Sequence, residues 1–176
     1  MKNNTKVNKI ARKMGITLLG TGITMLKSAF NLTPKQLTYN DMLVFMKEET
    51  AGQKLNYISL ADTYYYVIPW KQFKEIIDTL LNWLKSIPYI KDKMDCDDFA
   101  YLFSTLISVI FGLNSQGVVH GRVNIGHFWN AIVAEKDGQL KLFYYDVKRG
   151  TYMEHEKGRP VIMKGWSYLP DSYRFF

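Results

Sequence analysis

The stretch MDCDDFAYLFSTLISVIF, residues 94–111, sets the only cysteine of the chain, Cys96, among acidic residues and directly before a long apolar run. Asp95 is a suitable N-cap, and Asp97 and Asp98 fall in the first turn, where carboxylates complement the positive end of the helix dipole. Beyond them Phe99, Leu102, Phe103, Leu106, Ile107 and Ile110 recur at helical spacing until Gly112. The pattern predicts the central helix of a domain, with one face buried and the thiol at its first turn. Exposed backbone N–H groups at that end favour a thiolate, which is how a nucleophile is mounted. The competing reading is an inert buried thiol, because a single cysteine builds neither an internal disulfide nor a thiolate-rich metal site. Three neighbouring aspartates make an odd environment for a core thiol.

Working outward, Pro88 ends a preceding amphipathic helix over residues 70–87, in which Phe73, Ile76, Ile77, Leu80, Leu81 and Leu84 share a face. Upstream of it LNYISLADTYYYVIPW reads as strand or extended loop, and Asp41 can cap a helix over DMLVFMKEET that Gly52 terminates. Downstream the period changes to two. VVHGRV, HFWNAIVAE and QLKLFYYDV are strand candidates, with shorter ones near residues 151–154 and 160–168. Helices first and strands after them predict an α+β domain over residues 40–176.

The last two main strands flank KDG, a hairpin signal. If the loop is the two-residue turn Asp137-Gly138, Lys136 pairs with Gln139, Trp129 lies opposite Asp146, and His127 lies opposite Lys148. All four side chains then share a face, because the side-chain period is two. His127 and Asp146 become diagonal neighbours within reach of each other. A three-residue loop would reverse the parity and separate them. Cys96 over that face would complete a nucleophile, a base and a residue that orients the base. His127 as a satisfied core histidine is the alternative, and His120 and His155 are read as ordinary loop or strand residues.

DCDDFA, followed by GHFWNAIV and then YYD, resembles the papain-like and transglutaminase-like superfamily of cysteine enzymes. It is also similar to the cysteine-protease-like domain of some agglutinins and of related bacterial and phage proteins. The matching region is residues 62–146. The resemblance implies a central helix with an N-terminal cysteine packed on an antiparallel sheet. By it Cys96 would be the nucleophile, His127 the general base and acid, and Asp146 the orienter of the ring. The activity implied is thiol-dependent amide hydrolysis or acyl transfer through a thioester, on a peptide or protein amide. One departure concerns the oxyanion hole: residues 89–95 hold no glutamine. Gln72, or a tyrosine such as Tyr66, is the candidate replacement, with Trp129 beside the cleft. Calcium at Asp92, Asp95, Asp97 and Asp98 is the one metal the resemblance allows. The EF-hand ligand pattern is absent, so these carboxylates read first as helix caps, and no other cofactor is expected. Zinc lacks its usual ligand spacing.

The net charge of +7 belongs to one end of the chain. Lys2, Lys6, Lys9, Arg12, Lys13, Lys27 and Lys35 stand in the first forty residues with no acid, and from Asp41 onward acids and bases cancel. The body is therefore neutral, and sequence-specific nucleic-acid binding is not expected. Residues 1–39 read as a basic and apolar arm that docks on an anionic surface or a partner protein. MGITLLGTGITML within it also imitates a secretory signal peptide, but it is too short to span a bilayer. A retained arm favours a cytoplasmic or virion-associated protein, a cleaved one a secreted protein. A second functional reading follows: a structural or interaction module of a larger assembly, such as a phage particle, anchored by the arm, with the triad idle or used only in assembly.

Overall fold

The computed structural model of the chain describes residues 20–157, 159 and 161–176. The described chain divides after Asn31 into two units. In the first, residues 20–29 are helical (α1), and the Thr24 and Ser28 hydroxyls donate to the Gly20 and Met25 carbonyls. The basic flank and the first half of the apolar stretch lie outside the described residues, and with them the docking-arm and signal-peptide readings. Among the described residues no helix is long and apolar enough to cross a membrane.

In the second unit the turn-rich segment after Asn31 supplies a strand, β1 (Lys35–Thr38), which leads into α2 (Tyr39–Glu49). Thr38 is the N-cap: its hydroxyl accepts from the Asp41 N–H, and the Asp41 carboxylate accepts from the Thr38 N–H. Asp41 thus serves α2 as the returning half of a capping box, and the helix starts two residues before it. The aromatic segment that follows breaks into β2 (Tyr57–Leu60) and β3 (Tyr64–Val67). The predicted amphipathic helix is α3 (Trp70–Ser86), which buries Phe73, Ile76, Ile77, Leu80 and Leu84. The opening stretch forms α4 (Cys96–Leu106), continues as a π-helical turn over Ile107–Phe111, and closes at Gly112, whose φ of 68° is left-handed.

Six further strands follow: β4 (Gln116–Val123), β5 (Ile125–Lys136), β6 (Gln139–Asp146), β7 (Thr151–Glu154), β8 (Val161–Met163) and β9 (Trp166–Phe175). The large sheet runs β2-β9-β4-β5-β6-β7, with β8 also on β9, while β1 and β3 pair separately. Strands dominate the unit, and the sheet is not antiparallel throughout, because β2 runs parallel to β9. The expected antiparallel sheet is corrected to a mixed one. Its physical cause is β9, which inserts between β2 and β4 from the far end of the chain. Sequence periodicity does not reveal a ten-residue strand there because Pro170 sits inside it. Proline lacks the N–H a ladder needs, and the β4–β9 register shifts between His120 and Gly121 where Pro170 is accommodated.

Both faces of the sheet are covered. On one, Trp129, Ala131 and Val133 of β5 join Met42, Tyr65, Tyr144, Tyr173 and Phe175. On the other, Trp70 stacks on Phe143 with ring centroids 3.8 Å apart, and Phe103 of α4 meets Tyr145 at 4.9 Å. Two buried amides fasten α4 to this second face. Asn130 Nδ2 donates to the Ala100 carbonyl at 2.9 Å and to Ser104 Oγ at 3.0 Å. Gln116 Nε2 donates to the Ser104 carbonyl at 3.2 Å and to Ser108 Oγ at 3.0 Å.

At Gly121, where β9 crosses close to β4, an added Cβ would meet Trp129 Cη2 at 2.6 Å and the Leu169 carbonyl closer still. Gly121→Ala is expected to lower unfolding free energy by about 1–3 kcal/mol, the usual cost of overpacking, measured by urea denaturation. Asn130→Ala is expected to cost a similar ~1–3 kcal/mol, because the Ala100 carbonyl and Ser104 hydroxyl lose a buried donor. An unchanged midpoint in Asn130→Ala would show that the Asn130 amide is not needed to fasten α4.

Candidate functional site

Cys96 is the first residue of α4 and is partly buried. The acidic residues around it are spent largely on backbone. Asp98 Oδ2 accepts from the Asp95 N–H at 3.1 Å, and Asp95 Oδ2 accepts from the Asp92 N–H at 3.0 Å. Asp95 and Asp97 also hydrogen-bond each other, which holds the Asp97 carboxyl above the usual carboxylate range and Asp95 below it.

The other two site residues come from one hairpin. Asp137 (φ 53°) and Gly138 (φ 75°) form its two-residue turn, and the β5–β6 ladder runs from Lys136↔Gln139 to Asn130↔Tyr145. It stops one pair short of Trp129, so the first residues of β5 extend past the end of β6. His127 lies in that overhang and Asp146 ends β6, with His127 Nε2 2.9 Å from Asp146 Oδ2. The N-terminus of α4 approaches the same place, and Cys96, His127 and Asp146 line one cleft. Burial opposes charging of His127, but the hydrogen bond with Asp146 and the neighbouring Cys96 outweigh it and push the ring up to about 9. Burial likewise opposes the charge of Asp146; hydrogen bonds from His127, Tyr168 and the Arg149 N–H outweigh it and hold that carboxyl below its ordinary range.

Two residues absent from the sequence reading complete this shell. The Tyr168 hydroxyl, on β9, donates to Asp146 Oδ2 at 2.7 Å, and the Arg149 N–H donates to Asp146 Oδ1 at 3.1 Å. Arg149 Nη1 in turn donates to the Tyr168 hydroxyl at 2.8 Å. Arg149 stands three residues after Asp146, a spacing visible in the sequence as a tight-turn ion pair. Tyr168 arrives from a distant strand and leaves no local signal.

The cleft that exposes this group has a volume of about 440 Å³, with walls from Tyr89, Ile125, Lys148 and Trp166. The Lys148 ammonium lies 5.0 Å from the Tyr89 ring centroid, and the Arg149 guanidinium 4.7 Å from that of Trp166. Of the three residues expected beside the cleft, two lie elsewhere. Gln72, on α3, accepts from the Thr33 N–H at 3.4 Å and does not line the cleft. Tyr66, on β3, borders a separate recess with Asn114. Trp129 is fully buried beneath the His127 ring, with centroids 5.9 Å apart, and supports the ring from below. For calcium, Asp95, Cys96 and Asp97 bring ligand atoms within 4.8 Å of one another.

No family model matches the chain, and no curated protein matches it. Solved structures do. The fold is similar to that of PSL1a in a complex with E64, with a TM-score of 0.58 and 21% identity over 80% of this chain and 51% of that one. It is similar also to Polyporus squamosus lectin bound to the human-type influenza-binding epitope Neu5Aca2-6Galb1-4GlcNAc, with a TM-score of 0.55 and 21% identity over 80% of this chain and 49% of the lectin. The chain thus spans about half the length of each. These neighbours correct the family expectation: the architecture is a strand-dominated one shared with a lectin chain, not an assigned papain-like or transglutaminase-like fold. With that assignment go the amide hydrolase or acyltransferase function, the peptide or protein amide substrate, and the phage-particle module. The epitope named with a neighbour is a glycan. At this identity, the likeness establishes shared fold.

Proposed function

We propose that Cys96, His127 and Asp146 form a nucleophilic thiol centre and that the chain is an enzyme acting through Cys96 on a substrate with an electrophilic carbon. The observation that carries this reading is the His127 ring, held by a buried carboxylate through Nε2 and lining one cleft with the only thiol of the chain. Because Asp146 occupies Nε2, Nδ1 is the nitrogen left for the thiol proton. An imidazolium beside a sulfur is the arrangement that activates cysteine nucleophiles, and the carboxylate supports the charge on the ring.

A second reading takes its lead from the lectin likeness: glycan binding, with the half-exposed rings of Tyr89 and Trp166 as stacking surfaces at the cleft. Titration with the sialylated trisaccharide tests it. Saturable binding that is lost in Trp166→Ala supports this reading, and no binding at millimolar glycan removes it.

For the thiol centre, iodoacetamide is expected to label Cys96 at pH 6 at least tenfold faster than it labels glutathione, read by mass spectrometry. Labelling should disappear in Cys96→Ala and slow by tenfold or more in His127→Ala. E64, with which PSL1a forms a complex, is the second probe, and an adduct on Cys96 is the expected product. Labelling no faster than glutathione, with no E64 adduct, would sink the proposal.

The charge on His127 also predicts a pH dependence of stability. Its folded value of about 9 lies above the ordinary 6.5, so its contribution is fully present below about pH 6.5 and is lost as pH rises through about 9. The melting temperature is expected to fall over that interval, and the fall should be shallower in His127→Gln.

A further inference from the structure

Asp146 Oδ2 accepts two hydrogen bonds, from His127 Nε2 at 2.9 Å and from the Tyr168 hydroxyl at 2.7 Å. The direction of the second follows from Arg149. Its Nη1 lies 2.8 Å from the tyrosine oxygen and can only donate, so the tyrosine proton is left to point at the carboxylate. The ring that carries this hydroxyl is fixed: Tyr168 is 1% exposed and meets Trp129 edge-on at 5.1 Å. Arg149 is fixed in turn by the rings of Trp166 and Tyr168, at 4.7 and 5.6 Å.

Two donors on one oxygen compete for its electron density, so each weakens the other's bond. We propose that Tyr168, oriented by Arg149, is a positioning residue that shares the acceptor oxygen of Asp146 with His127 and thereby limits how tightly the carboxylate holds the imidazole ring. A carboxylate bonded to His127 alone would lock the proton on the ring. One already engaged by Tyr168 leaves the imidazolium free to give its proton up. Resting on the thiol-centre reading, this gives His127 the second half of its role, the release of a proton to a leaving group. The titratable and charged groups around His127 are Asp146 at the end of β6, Cys96 from α4, Tyr168 from β9, and Lys148 and Arg149 from the turn after β6, Arg149 paired with Asp146 at 3.7 Å.

The test is an NMR titration of the His127 ring in Cys96→Ala and in Cys96→Ala combined with Tyr168→Phe, a pairing that does not depend on whether the thiol reacts. Phenylalanine keeps the ring packing and removes only the hydroxyl. The midpoint is expected to rise by roughly 0.5–1 pH unit, the equivalent of one hydrogen bond of about 1 kcal/mol. Arg149→Met in the same background should also raise it, because the hydroxyl loses its orienting donor and a nearby cation is removed. A midpoint that is unchanged or lower in Tyr168→Phe overturns the proposal, since a merely structural tyrosine would loosen the pair and lower it. Failure of Cys96 to label in the wild-type chain, with the NMR shift intact, would instead fault the thiol-centre reading and leave the shared-oxygen geometry standing.

Discussion

Two residues with positive φ, Asp137 and Gly138, carry the constraint on which the site depends. Their turn admits two loop residues between β5 and β6, and that number sets the parity of every side chain on both strands. With it His127 and Asp146 reach one another; one residue more would turn them to opposite sides of the sheet. The imidazole and its carboxylate are thus arranged by a turn some distance away.

The thiol reaches the same place by a different route. α4 packs on the face of the sheet opposite the main aromatic core, and β6 ends early enough for the N-terminus of α4 to approach the overhanging residues of β5. Asn130 and Gln116 set the height and rotation of the helix through its backbone carbonyls and the hydroxyls of Ser104 and Ser108. Amides tied to particular carbonyls specify one seating. An apolar stripe alone would allow α4 to slide or rotate, since hydrophobic contact is not directional.

Charge is confined as well. Asp146 is almost fully buried, where an unpaired carboxylate would be costly, and it is satisfied by an imidazole, a phenol and a backbone amide, with a guanidinium nearby. The acidic residues before α4 hold the turn at residues 90–94 and the helix start. The cations at the cleft, Lys148 and Arg149, lie over aromatic rings.

Local chemistry made several elements legible in the sequence. These are the stripes of α3 and α4, the aspartate at the start of α4, the KDG turn and the register it dictates, because each rests on residues within a few positions of one another. Periodicity failed where distant parts of the chain meet. β9 was obscured by Pro170, and the parallel pairing of β2 with β9 depends on an insertion that no local pattern encodes. The same division runs through the site. Cys96, His127 and Asp146 could be named from a helix end and a hairpin, whereas Tyr168 comes from a remote strand, and Gln72 and Tyr66 were placed elsewhere by the packing. Spacing along the chain determines which side chains share an element and a face. Only the tertiary structure decides which elements meet, because that depends on how both faces of the sheet are covered and on which buried polar groups find partners.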